Sequence, residues 1–250
     1  MSGAADPAIR MQGVSKSYRL VRDRPMSVKE AVVRRSQRRL VEEFWALQDI
    51  DLEVPRGSFV GLIGHNGSGK STLLKLLSGI HRQTTGTITV DGRLSALLEL
   101  GAGFHPELTG RENIYLNGAI LGMSRRQMTG AVSEIVEFSG IGDFVDAPVR
   151  VYSSGMYVRL GFAIAVHVNP EILLVDAVIA VGDEDFQRKC LDHMAELRRQ
   201  GVTIVLVSHD LDQVRDLCDR VAWIDRSLLV EVGDPDLVCD RYLASIHGEG

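Results

Sequence analysis

Residues 64–71 read Gly-His-Asn-Gly-Ser-Gly-Lys-Ser, and few octapeptides restrict a fold so tightly. The pattern G-x-x-x-x-G-K-[ST] is meaningful only between a strand and a helix. The sequence supplies both. Residues 58–63 are a short apolar run bounded by turn residues, as in a strand buried on both faces, and 72–78 have helical character. Gly64, Gly67 and Gly69 allow backbone torsions and close approaches that a side chain would block. The N–H groups of a loop running through His65, Asn66 and Ser68 to Thr72 then point into an anion pocket at a helix N-terminus. Lys70 would reach the β- and γ-phosphates of a nucleoside triphosphate, and the Ser71 hydroxyl would ligate Mg²⁺.

Further along, 170–176 is an apolar strand ending in a carboxylate, Asp176. Behind a phosphate loop such a carboxylate holds Mg²⁺ through water from the far side of the site. Ser153, Ser154 and Gly155 open a helical stretch running to about residue 168. Alone, this is a common helix-cap turn, although Ser and Gly at a helix start also make an anion nest. Ser208 and His209 follow the strand 203–207.

Charge excludes one class of partner. Lys and Arg total 28 against 33 Asp and Glu, a net charge of −5, where a general nucleic-acid binder needs a basic surplus. Residues 1–45 are the exception, with ten basic and five acidic residues. Three cysteines without C-x-x-C spacing suit a reduced cytosolic chain. No run nears the roughly 18 apolar residues of a membrane span, and the N-terminus lacks a secretory layout. Work at a membrane would require recruitment.

Strand character is expected at 9–20, 46–54 and 85–90, with a hairpin-like turn at Asp91 and Gly92. Helices are expected at 111–121, 125–139 and 186–200, and patchy helical spacing around a basic run at 22–45. Strands separated by helices predict an α/β core, with the helix-rich middle as an inserted lobe.

The ordered set resembles the ATP-binding cassette (ABC) family over essentially the whole chain. Ser153 to Gly155, 23 residues before Asp176, look like its LSGGQ signature, and His209, 33 residues beyond Asp176, looks like its switch histidine. Tyr18 stands where the family has an adenine-stacking aromatic, and 180–183 at the D-loop. The resemblance implies a P-loop α/β core with an antiparallel β subdomain and an inserted helical subdomain at 105–169, forming one nucleotide-binding domain over 1–250. It implies ATP and Mg²⁺ as ligands. It also implies a head-to-tail homodimer pairing Lys70 of one subunit with Ser153 and Gly155 of the other.

The string 97–114, Leu-Leu-Glu-Leu-Gly-Ala-Gly-Phe-His-Pro-Glu-Leu-Thr-Gly-Arg-Glu-Asn-Ile, is similar to the ATPases of bacterial polysaccharide exporters serving O-antigen, teichoic-acid and galactan transport. Tyr152 to Met156, and Val181-Gly182-Asp183 followed by Phe186-Gln187, point the same way. The branch implies a transmembrane permease partner, a polyprenyl-pyrophosphate-linked glycan as cargo, and a peripheral place on the cytoplasmic face of the bacterial inner membrane. The segment 22–45 resembles its extra helical hairpin near that membrane, and a basic helix there would suit anionic headgroups. With 233–242 resembling the usual end of the domain, no C-terminal carbohydrate-binding domain is expected. An ABC ATPase acting on ribosomes or DNA would call for tandem cassettes, a long coiled coil or a basic face.

Two positions depart from the family. Where most members carry Gln, this branch and this chain offer Glu99, whose carboxylate could approach Mg²⁺ or an attacking water. Directly after Asp176, the general-base Glu is replaced by Ala177. A methyl group accepts no proton, and losing a positioned base costs roughly 10²–10⁴-fold in rate. ATP should bind and hydrolyse poorly. Since the other nucleotide-contacting positions are intact, a substitution that traps the bound state accounts for Ala177 better than natural decay does. A naturally non-hydrolysing, ATP-dependent clamp is the alternative.

Overall fold

The computed structural model describes residues 6–21, 41–98, 103–176 and 183–248. Two sheets organise them. The larger has the order β5-β6-β7-β3-β8-β9, where β3 is Phe59–Ile63, β5 Leu94–Leu97, β6 Ile172–Val175, β7 Thr203–Val207, β8 Arg220–Asp225 and β9 Leu228–Gly233. Its first five strands are parallel, and β9 returns antiparallel to β8. The smaller is antiparallel, with β1 (Ile9–Val21) between β2 (Val41–Val54) and β4 (Thr85–Val90).

The central strands are apolar throughout because both faces are covered. Alternate residues go to opposite sides. Val60, Leu62, Leu174, Val205 and Val207 join a buried cluster with the small sheet and helix α1 (Lys70–Leu77). Phe59, Ile63, Leu173, Val175 and Leu206 face a second cluster, packed by helices α2 (Gly110–Ile120), α3 (Arg125–Ser139), α4 (Ser154–His167) and α5 (Glu184–Arg199). Helices α6 (Leu211–Leu217) and α7 (Pro235–Gly248), with two short 3-10 turns at Gly142–Asp146 and Val149–Val151, complete the described elements. No helix among the described residues is long and apolar enough to cross a membrane.

Two local expectations are corrected. Val41–Trp45, expected to be helical, extends β2 and pairs with the end of β1, Val41 opposite Val21 and Trp45 opposite Ser17. Val, Phe and Trp favour a half-buried pleated surface, and the ladder outweighs a chance i, i+3, i+4 spacing. Residues 22–40 lie outside the described residues. Asp91 and Gly92 close no hairpin: β4 belongs to the small sheet and β5 to the large one. The chain changes layers there, with Gly92 at φ 139° and Glu171 too near for a relaxed side chain.

Candidate functional site

Strands β6, β7 and β3 are neighbours and parallel, so their C-terminal ends lie side by side. Asp176 leaves β6, Ser208 and His209 leave β7, and Gly64 begins the loop after β3. The carboxyl edge of an open parallel sheet is where such folds bind ligands. A cleft of about 260 Å³ opens there, lined by Asn66, Gly67, Gly69, Lys70, Ser71, Thr72, Asp176 and His209, with Phe44, Ala46 and Val207. Gly64, His65 and Ser68 shape the loop from outside that lining.

The glycines are sterically required. At Gly64 (φ 145°) a Cβ would come 2.0 Å from the Ile224 carbonyl oxygen. At Gly69 (φ 115°) it would come 2.5 Å from the Ala46 carbonyl oxygen. The loop is thus wedged between β2 and the β8–β9 hairpin. The hairpin fastens it further: Ser227 N donates to the Ser68 carbonyl at 3.2 Å, and Ser227 Oγ donates to the Trp45 carbonyl at 2.9 Å. His65 Nε2 lies 2.8 Å from Asp225 Oδ1. Ser68 Oγ is fully buried with no hydrogen-bond partner among the described residues.

Lys70 is buried, and its ammonium donates to the carbonyls of Gly64 (2.6 Å) and His65 (2.8 Å). Burial lowers its pKa, and the nearby Asp176 carboxylate opposes that. Helix α1 begins at Gly69 with no side-chain cap and no acid in its first turn. An anion meets the positive end of the helix there without a competing carboxylate. A triphosphate with Mg²⁺ between Ser71 and Asp176 fits this donor set: cationic Lys70 and backbone N–H groups for phosphate, hydroxyl and carboxylate oxygens for a hard cation.

Tyr18 is not brought to the cleft. Its ring meets the His81 ring edge-on at 6.0 Å, with Lys16 Nζ 4.9 Å from its centroid. β1 lies one strand farther from the loop than β2, and the aromatic that lines the cleft is Phe44 on β2, 51% exposed. The sequence reading missed Phe44 by placing it inside the helical insertion. A Phe-Trp pair before an alternating run was the available strand signal.

Ser153, Ser154 and Gly155 do not line the cleft either. Ser153 caps α4, its Oγ accepting from Met156 N at 3.2 Å, and it is exposed. Arg159 on α4 pairs with Asp183, which in turn caps α5 by accepting from Phe186 N at 2.9 Å. Tyr152, just ahead of Ser153, donates from Oη to the Phe144 carbonyl at 2.7 Å. Burial pushes its phenol pKa up, so the hydroxyl keeps its proton. Glu99 and Ala177, and the D-loop positions 180–182, lie outside the described residues. A second pocket of about 400 Å³, away from the cleft, is lined by Glu112, Tyr115, Ala119, Met123, Arg125 and Met128, on α2, α3 and the turn between them.

The profile of the ABC transporter family matches residues 47–180, more than half the chain. This chain belongs to that family. It is 44% identical over 240 residues to the O-antigen export system ATP-binding protein RfbB of Klebsiella pneumoniae, covering 95% of this chain and 98% of that protein. With RfbB of Myxococcus xanthus it shares 49% over 245 residues, 96% of this chain but only 56% of that longer protein. The teichoic acids export ATP-binding protein TagH of Listeria monocytogenes is 42% identical over 234 residues, 94% of this chain and 69% of TagH. Among solved structures, an ATP-binding subunit of an ABC transporter superposes with TM-score 0.78 at 20% identity, covering 97% and 98% of the two chains. A dimeric ATP-binding cassette bound to ADP and Pi gives 0.72 at 21%, covering 91% and 98%. Both likenesses speak to the fold: the ABC ATPase architecture, with its antiparallel sheet beside the P-loop core.

Proposed function

We propose that this chain is the ATP-binding subunit of a polysaccharide exporter. It would close as a homodimer on MgATP and drive a separate permease that moves a lipid-linked glycan. The observation that carries the reading is the single cleft in which Phe44, Lys70, Ser71, Asp176 and His209 meet. The O-antigen and teichoic-acid export proteins among the relatives supply the class of cargo.

Phe44 offers its face to the adenine, and the loop from Gly64 to Thr72 holds the phosphates. Lys70 exchanges its two carbonyl acceptors for β- and γ-phosphate oxygens. Ser71 and Asp176 hold Mg²⁺, which when bound offsets phosphate charge. His209, at the end of β7, serves the γ-phosphate. Ser153 and Ser154, exposed, and Gly155, half-buried, all lie outside their own cleft and would meet the nucleotide of a second copy. Glu99 is reserved for the neighbourhood of the attacking water.

Ala177 sets the chemistry. Without a carboxylate beside Asp176, water is not deprotonated efficiently, and bound ATP holds the dimer closed by mass action. The apolar pocket on α2 and α3, rimmed by Glu112 and Arg125, is the contact proposed for the permease, which would seat the subunit peripherally on the cytoplasmic face of the membrane. The polyprenyl pyrophosphate anchor of the glycan would lie nearest the basic residues of 22–45. A clamp that never hydrolyses is a second reading, and Ala177 alone favours it.

The deciding experiment pairs MgATP binding with steady-state ATPase, for this chain and for Ala177→Glu. Micromolar binding with negligible turnover here, and roughly 10²–10⁴-fold recovery in the variant, supports the transport ATPase. Recovery of nothing favours the clamp. Equal, substantial turnover in both would mean another group is the base.

A further inference from the structure

Tyr152 is adjacent to Ser153 in the chain and packed on the first residue of α2 in space. A Cβ at Gly110 would come 2.1 Å from Tyr152 Oη, so ring and helix meet with no side chain between them. The same hydroxyl donates to the Phe144 carbonyl. Main-chain bonds surround this contact: Val149 N to Leu108 O at 2.9 Å, Arg150 N to Pro106 O at 3.0 Å, and Gly110 N to Ala147 O at 3.2 Å. Arg111 grips Asp146 with two hydrogen bonds, 2.8 and 3.1 Å. Fully buried Asn113 gathers the loop below, donating to the carbonyls of His105, Leu108 and Thr109 and accepting from His105 N.

Residues 105–113 and 144–153 therefore form one stiff block. Ser153 stands at one end. Glu112 and Tyr115, which line the apolar pocket, belong to the helix that starts at the other. Among the described residues, the Ser153 side chain is held by the first turn of α4, through Met156 N.

We infer that Tyr152 is a positioning residue: it locks the turn at 153–155 to the first turn of α2, so that the pocket and the phosphate-recognising turn move as one unit. The inference rests on the reading above, in which that turn meets nucleotide held by a second copy. Whatever displaces α2 then displaces Ser153 with it, and a loosened Tyr152 lets the pocket move without the turn. The effect should fall on dimer closure and leave nucleotide binding within one subunit alone, because Tyr152 does not line the cleft.

The full chain with Mg²⁺ is titrated with ATP, following dimerisation by light scattering. A fluorescent ATP analogue reports binding at dilutions where the chain is monomeric. Tyr152→Phe keeps the ring against Gly110 and removes the bond to Phe144; Tyr152→Ala removes both. We expect analogue affinity within twofold of the parent in each. The ATP midpoint for dimerisation should rise about 5–10-fold in Tyr152→Phe and further in Tyr152→Ala, in line with the loss of about one hydrogen bond in the first step. Should Tyr152→Ala fail to fold, the Phe variant decides. Dimerisation within twofold of the parent overturns the inference, as does a loss of analogue affinity that tracks the loss of dimer. A parent chain that binds ATP and stays monomeric overturns the underlying reading, and the inference with it.

Discussion

Phe44 stands directly opposite Tyr18 in the β1–β2 ladder, and of the two only Phe44 lines the cleft. Paired residues of an antiparallel ladder share a face, so the difference is one of strand order: β2 lies between β1 and the phosphate loop. The contact between Gly69 and the Ala46 carbonyl fixes that order locally. Base–aromatic stacking is worth roughly 1–3 kcal/mol on alanine substitution. Phe44→Ala should therefore weaken ATP binding by about 5–150-fold, and Tyr18→Ala by less than twofold. Titration of both variants with a fluorescent ATP analogue checks this, and the reverse ranking would return the stacking role to Tyr18.

Lys70 supports a prediction that separates binding from stability. Its buried ammonium donates to two carbonyls and carries a desolvation cost that the nearby Asp176 carboxylate offsets only in part, which is why its pKa is lowered. Lys70→Met keeps most of the stem's volume and removes the charge. The ligand-free variant should melt within about 2 °C of the parent or above it, since a buried charge is often replaced without loss. The stabilisation that MgATP gives the parent should vanish over the same concentration range. A large drop in the ligand-free Tm would assign Lys70 to holding the loop together.

The core of the fold was legible because its strands are uniformly apolar and its loop has one known context. The runs at 59–63, 172–175 and 203–207 had to be buried on both faces, and they are. Helix α3 was read to the residue, since Ser124 and Gln127 form a capping box at one end and Gly140 takes a left-handed φ of 64° at the other. The phosphate loop and Asp176, read from motif and context, and His209, read from the family resemblance, line one cleft. Strand register and layer order were not legible. Whether Tyr18 or Phe44 reaches the loop depends on which strand lies between them, and the 22–40 insertion hides that order from any count of residues. Asp91 and Gly92 misled for a related reason: a turn signal says that the chain bends and not which sheet it enters. The Arg159–Asp183 tie could not be read at all, because it joins residues 24 apart through tertiary packing.

Acid should loosen the junction of α4 and α5. The rings of His167 and His193 stack at 4.9 Å and pack against Phe138. Burial lowers both pKa values, and the charge of His167 lowers that of His193 further. Lys189 nearby adds positive charge, while Glu134 and Glu196 oppose it. A base whose pKa is depressed by folding binds fewer protons folded than unfolded, so stability rises with pH across the interval between the two values. The contribution is full above the ordinary histidine pKa of about 6.5 and is lost as pH falls below it toward the folded value. Thermal melts from pH 7.5 to 5.5 should show a falling Tm, with a shallower slope in His193→Gln. Parallel slopes would place the acid sensitivity elsewhere.

Asn113 allows a test of polarity at constant shape. Its amide donates to three carbonyls and its oxygen accepts from His105 N, with no exposed surface. Asn113→Ala leaves those groups without their partner, and each buried unsatisfied group costs about 1–3 kcal/mol, so a loss of at least ~2 kcal/mol is expected. For a domain of this size that corresponds to a Tm lower by about 4–8 °C. Asn113→Asp is nearly isosteric yet should be worse at pH 7, because a carboxylate offers the three carbonyls only more acceptors. Facing them in a buried site, that carboxyl would have a raised pKa. Its penalty is therefore present above the folded pKa and shrinks as pH falls through that value, when the protonated group regains a donor. Urea melts of the two variants at pH 7.5 and 5.5 should show Asp below Ala at the higher pH and the gap narrowing at the lower. An Asp variant as stable as the parent at pH 7.5 would mean that the loop at 105–109 is held by its main-chain bonds alone.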